Sequence, residues 1–130
     1  MRRISIDTNI YSAFKLDDPA VKTLFRNTDY IGIDITVIAE LFAGFRNGSR
    51  EQINRDELKL FLNNPRTEIL QHDLETAEFY SFILCRLRTL GKPIPTNDIW
   101  IAANSMRHGL SLCSKDRHFE SIEGLLLIKA

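Results

Sequence analysis

Tyr30-Ile31-Gly32-Ile33-Asp34-Ile35-Thr36-Val37-Ile38-Ala39-Glu40-Leu41-Phe42 changes its hydrophobic rhythm part-way along. Tyr30 to Ile35 is a short apolar run of strand length. From Thr36 onward the apolar residues Val37, Ile38, Leu41, Phe42 and Phe45 recur at helical spacing. Thr36 suits the N-cap of that helix and Asn47-Gly48 its end. A buried strand running into an amphipathic helix is the start of a crossover unit, which needs a parallel sheet. This is also the most apolar stretch of the chain, and Asp34 and Glu40 interrupt it, so it does not predict a membrane span.

The alternation continues on both sides. Ile4-Ser5-Ile6 is a first short strand, and Asp18-Pro19 opens a helix with Asp18 as N-cap and Val21, Leu24 and Phe25 apolar. Ser49 and Gln52 have capping-box spacing for a helix that Pro65 closes. Thr67 to Leu70 predicts a third strand. Asp73 then caps a long helix with Ala77, Tyr80, Leu84 and Leu87 on its buried face and Gly91 as its stop. A further helix is predicted from about Asn97 to His108, with Thr96 able to cap it. Leu110 to Cys113 reads as a fourth strand, Arg117 to Ile122 as a short helix and Leu125 to Ile128 as a last strand. Strands alternating with helices predict an α/β fold with a largely parallel sheet covered on both faces. In such sheets ligands sit beyond the carboxyl ends of the strands, near the switch in strand order.

The chain has 130 residues, 44% of them hydrophobic, which suits one globular domain over residues 1–130 and excludes disorder and low complexity. With 17 Lys+Arg against 17 Asp+Glu there is no general positive field of the kind a bulk polyanion binder needs, although a local basic surface is compatible. Cys85 and Cys113 lie far apart with no metal-knuckle or disulfide spacing, so both are expected as reduced core side chains. No signal peptide follows Met1-Arg2-Arg3, and the expectation is a cytoplasmic protein with no membrane association.

Four acids belong at the carboxyl edge of this sheet. Asp7 follows the first strand directly and Asp116 lies just past the fourth, while Glu40 and Asp98 are expected in the first turns of helices that start from the same edge. Each alone has an ordinary explanation, through the helix dipole for Glu40 and Asp98 or turn formation for Asp7 and Asp116. Together they repel unless a cation neutralises them. Oxygen donors without Cys or His at ligand spacing select a hard ion, magnesium or manganese rather than zinc. Such an ion can orient water, lower its pKa and neutralise charge on a phosphoryl oxygen, which is the chemistry of phosphodiester hydrolysis.

Four segments carry a family resemblance: Ile6-Asp7-Thr8-Asn9, Thr36-Val37-Ile38-Ala39-Glu40-Leu41, Pro95-Thr96-Asn97-Asp98-Ile99-Trp100-Ile101-Ala102-Ala103, and Ser114-Lys115-Asp116-Arg117-His118-Phe119. In this order and spacing they resemble the PIN-domain nucleases, and among these the VapC-type toxins of prokaryotic toxin–antitoxin operons. The resemblance implies a Rossmann-like three-layer sandwich with strand order 3-2-1-4-5 and a magnesium- or manganese-dependent endoribonuclease. It implies that Asp7, Glu40, Asp98 and Asp116 form the acidic quartet, with Asp7 and Asp98 as the surest metal ligands. It also implies a homodimer, an RNA substrate and inhibition by a cognate antitoxin protein.

Around the acids, Asn9 and Ser114 are candidates to hold a carboxylate or a metal-bound water. Lys115 and Arg117 are candidates to grip a substrate phosphate, with Arg46 and Arg50 extending the track. Trp100 and Phe119 are expected in the core or at a dimer interface rather than stacked on a base. His72 and His108 read as structural or surface residues, and His118, two residues after Asp116, is left open. Two other readings are compatible with an acidic sheet edge. One is a PIN fold used only for binding; the other is a magnesium-binding phosphoacceptor module, which wants paired acids where Asp7 is followed by Thr8-Asn9.

Overall fold

The computed structural model describes residues 1–129. Five parallel strands form one sheet: β1 (Arg3–Ile6), β2 (Tyr30–Asp34), β3 (Thr67–Leu70), β4 (Ser111–Ser114) and β5 (Leu127–Lys129), in the order β3-β2-β1-β4-β5. The helices are α1 (Thr8–Lys15), α2 (Pro19–Arg26), α3 (Ile35–Asn47), α4 (Glu51–Leu62), α5 (Leu74–Leu90) and α6 (Thr96–Arg107), with a 3₁₀ turn η1 (Arg117–Ser121) before β5. The chain walks one way from β1 to β3 and then returns past β1 to β4. With right-handed crossovers, that reversal lays α1 to α4 on one face and α5 and α6 on the other. The switch point is therefore the gap between the ends of β1 and β4.

The sheet is buried on both sides. Ile4, Ile6, Ile33 and Leu112 are fully inaccessible and Ile31 nearly so; each such side chain contributes roughly 1.5–3 kcal/mol by leaving water. Leu112 shares the α6 face with Ser5 and Gly32, its neighbours across the ladder, where β1 and β2 carry small residues. Ser5 meets Ser105 of α6 through a 2.6 Å hydroxyl pair, and Gly32 beside it leaves room that Leu70 and Leu110 occupy. A Cβ at Gly32 would stand 2.8 Å from a Leu110 methyl and 2.9 Å from one of Leu70, so a larger residue here requires both leucine side chains to shift. Ala102 and Ala103 let α6 lie close against the sheet, and α6 carries Asp98 at its start.

Several local expectations are corrected. The eight-residue helix α1 occupies the stretch between the first strand and Asp18, where only two turns of periodicity exist to be read; Asp7 caps it through a 3.0 Å bond from the Ile10 N–H. The second strand ends at Asp34, and Asp34 rather than Thr36 caps α3, accepting the Thr36 N–H at 2.6 Å. Glu40 consequently sits in the second turn, not the first. The Ser49–Gln52 capping box does not form: Arg50 holds the cap position with no side-chain bond. Pro95, not Thr96, precedes α6 and likewise caps nothing with a side chain. On α5, Thr76, Ile83 and Leu87 are buried, Tyr80 and Leu84 half-buried, and Ala77 exposed. Phe42 is partly exposed beneath the Arg55 guanidinium, 4.2 Å from its ring centre. Cys85 is exposed on α5, against the expectation of a core side chain, whereas Cys113 is buried. The last strand starts at Leu127 because a Leu125-to-Ile122 backbone bond keeps the chain turning. Gly91, at φ +65°, ends α5 as expected. No helix among the described residues is long and apolar enough to cross a membrane.

Candidate metal centre

Asp7 and Asp116 reach the switch point from opposite sides of it. Asp7 directly follows β1 and is 5% exposed; Asp116 lies two residues beyond β4 and caps η1 by accepting the His118 N–H at 2.9 Å. Ser114, the last residue of β4, joins them: its hydroxyl donates to Asp7 Oδ2 and accepts the Asp116 N–H at 2.9 Å. One buried hydroxyl thus fixes the spacing between two acids more than a hundred residues apart in sequence.

The other two acids come from helices. Asp98, in the first turn of α6, is half-buried. Glu40, one turn further along α3 than expected, accepts the Thr8 hydroxyl at 2.6 Å and has the Asn97 amide 3.5 Å away. His118 completes the group, with Nδ1 3.1 Å from Asp98 Oδ2 and 3.2 Å from Asp116 Oδ1. Asp98, Asp116 and His118 each offer one ligand atom within 4.8 Å of the others.

The electrostatics are those of an uncompensated negative cluster. Burial pushes the Asp7 carboxyl above its ordinary value, opposed by the Ser114 and Ile10 bonds, and the charges of Asp98 and Asp116 push it further. Asp98 is likewise raised, first by burial and then by Asp116 and Glu40, against the contact with His118. Such a donor set fits a divalent cation: it is rich in carboxylate oxygens that raise one another's pKa.

The remaining candidates are placed less centrally. Asn9 is exposed on α1 and takes part in no side-chain hydrogen bond among the described residues. Lys115 pairs with Asp18 at 2.6 Å, and Arg117 is almost fully exposed with Glu120 3.6 Å away. Both line a groove of about 300 Å³ that runs from Asp116 to Lys129. Arg46 faces Glu51 at 3.9 Å, away from the acids. Trp100 is half-buried, stacked between His72 (4.2 Å) and Tyr80 (4.1 Å), and Phe119 is fully buried. Sequence reading did not single out Thr8 and Asn97 as partners of Glu40. Their signal was adjacency to Asp7 and Asp98 within the same motifs.

Known proteins share this fold. Ribonuclease VapC4 of Mycobacterium tuberculosis is 25% identical over 97 residues, which cover 75% of this chain and 75% of that protein. A crystal structure of DNA-bound VapBC from Salmonella typhimurium superposes with a TM-score of 0.88 at 25% identity, covering 99% of this chain and 98% of the other. FitAcB from Neisseria gonorrhoeae gives 0.81 at 26% identity, covering 96% of each chain. Residues 4–125 match the PIN domain, and with the strand order and the placing of the four acids already described, the chain belongs to the PIN domain family.

Proposed function

We propose that this chain is a metal-dependent endoribonuclease that hydrolyses RNA phosphodiester bonds, and that it acts as the toxin of a toxin–antitoxin pair. The observation that carries the reading is the meeting of Asp7, Glu40, Asp98 and Asp116 around the switch point, with Asp7 and Asp98 both pushed toward protonation by burial and mutual repulsion. Likeness to a ribonuclease VapC and to VapBC complexes supports the substrate and the antitoxin partner.

In this reading Asp98 and Asp116 hold the cation, with Asp7 and Glu40 completing its surroundings directly or through water. Magnesium or manganese, when bound, lowers the pKa of a water and offsets charge on a phosphoryl oxygen. The protein's own groups supply the order. Ser114 fixes Asp7 against Asp116, and Thr8 holds Glu40 facing the cluster. Lys115 and Arg117 present cationic heads along the adjoining groove, where RNA phosphates replace the Asp18 and Glu120 carboxylates that now pair with them. Leu74, Phe82 and Leu90 expose apolar surface along α5, which suits a homodimer. The working compartment in this reading is the cytoplasm.

The test is cleavage of a total or transfer RNA pool by purified protein, with magnesium or manganese against EDTA, beside Asp98→Asn prepared identically. Metal-dependent cutting that the substitution abolishes is expected. Full activity in Asp98→Asn refutes the site. Failure of the wild type to cut any RNA while still binding metal turns the reading toward a PIN fold used only for binding.

A further inference from the structure

The acids alone would make an all-oxygen centre, but His118 does not stand aside from them. Its Nδ1 is 3.1 Å from Asp98 Oδ2 and 3.2 Å from Asp116 Oδ1. These are the separations of neighbouring donors on a single ion, since cis ligands of an octahedral shell at roughly 2.1 Å lie about 3 Å apart. The ring is held there from two directions. The backbone N–H of His118 donates to Asp116 Oδ1 at 2.9 Å, and the next residue, Phe119, is fully buried and anchors the 3₁₀ turn. The imidazole is half-exposed, so a cation reaches it from solvent.

We infer that His118 is a nitrogen ligand to the cation that Asp98 and Asp116 hold, and that this centre therefore favours manganese over magnesium. The inference rests on the acidic-centre reading above and deepens it. Magnesium demands oxygen donors and gives up its water reluctantly, whereas an imidazole is a good ligand for the borderline transition ions. Nδ1 faces two carboxylate oxygens and so carries the ring proton in the metal-free protein; a cation bound through Nδ1 takes the place of that proton, the neutral ring then holding its proton on Nε2. His72 and His108 are not among the residues that meet the acids.

The experiment is electron spin echo spectroscopy of manganese added to the purified wild-type protein, with and without ¹⁵N-histidine labelling. Manganese and magnesium affinities are measured in parallel on wild type, His118→Gln and Asp98→Asn. The expected result is ¹⁴N modulation on bound manganese that changes with the label and vanishes in His118→Gln. In that variant manganese affinity falls about tenfold or more while magnesium affinity changes little. Manganese bound without nitrogen modulation overturns the assignment of His118 and leaves the acidic centre standing. A manganese affinity in His118→Gln equal to that of wild type does the same. No manganese binding by wild type overturns both. The wild-type spectrum needs no variant, so a folding failure of His118→Gln does not shelter the inference.

Discussion

Asp7 and Asp34 occupy equivalent places on neighbouring strands and end up with opposite chemistry. The β1–β2 register pairs Ile6 with Ile33, so the next residue on each strand is an aspartate, and each caps the helix that follows it. Both are almost completely buried, at 5% and 2% exposure. Asp34 is saturated: it accepts the Thr36 N–H at 2.6 Å, the Asn104 amide at 2.7 Å, and His72 Nε2 at 3.0 and 3.1 Å from its two oxygens. Since Nε2 faces acceptors, it carries the ring proton. Asp7 receives one backbone N–H and one hydroxyl, and its other neighbours are carboxylates. A buried carboxylate surrounded by donors holds a fold together; the same group surrounded by acids is poised to bind a cation.

The sharpest way to break this contrast is to neutralise each aspartate in turn. Asp7→Asn is expected to lower RNA cleavage by more than about 100-fold, the loss of a ligand exceeding that of its supporting groups, and to leave melting in EDTA unchanged or raised. Asp34→Ala is expected to do the reverse. It removes a cap and strands the His72 and Asn104 donors, costing about 2–4 kcal/mol, while cleavage assayed well below the lowered Tm persists. Equal activity losses in the two would dissolve the distinction.

Asn104 is the next point of attack, because it ties four elements into the hub. Its amide nitrogen donates to Asp34 and approaches the Leu70 and Gln71 carbonyls at 3.3 Å, and its oxygen accepts the Thr76 hydroxyl at 2.8 Å. Asn104→Ala leaves these buried groups unpaired and is expected to cost roughly 2–3 kcal/mol in denaturant unfolding. A change below 1 kcal/mol, as a surface residue would give, would mean that water repairs the hub.

The pH dependence of metal-free stability reports on the acidic cluster. Asp7 and Asp98 have folded-state pKa values above the ordinary 3.8. The folded state therefore binds their protons more tightly than the unfolded state. Their contribution is neutral at low pH and destabilises progressively as pH rises from about 3.8 through the folded values. In EDTA the Tm of Asp7→Asn should fall less than that of wild type across this rise, and manganese or magnesium at neutral pH should recover most of the difference. Parallel curves would contradict the repulsion.

The smallest expected effect is at the support of Asp7. Ser114→Ala removes a bond that lowers the Asp7 pKa and sets its distance to Asp116. A loss of about tenfold in cleavage, with the thermal stability of the metal-bound protein nearly retained, is the expectation.

The sequence alone determined the alternation of strands and helices, the parallel sheet, and the carboxyl edge as the place to look, because period and cap signals are local. It also brought Asp7, Glu40, Asp98 and Asp116 forward as a group, through their position after strands and at helix starts. Helix α1 escaped notice because two turns carry little periodic signal. The cap of α3 was misplaced because an aspartate at a strand end and a threonine two residues later satisfy the same local rule. What only the tertiary structure decided is which buried aspartate is tied down and which is left charged. Asp34 meets His72 and Asn104, 38 and 70 positions away, and Asp98 meets His118 20 positions away. Those partners share no motif, spacing or period. They are set by the return of the chain past β1, which packs α6 against β2 and against η1 at once, and a carboxylate takes its chemistry from whatever that return places beside it.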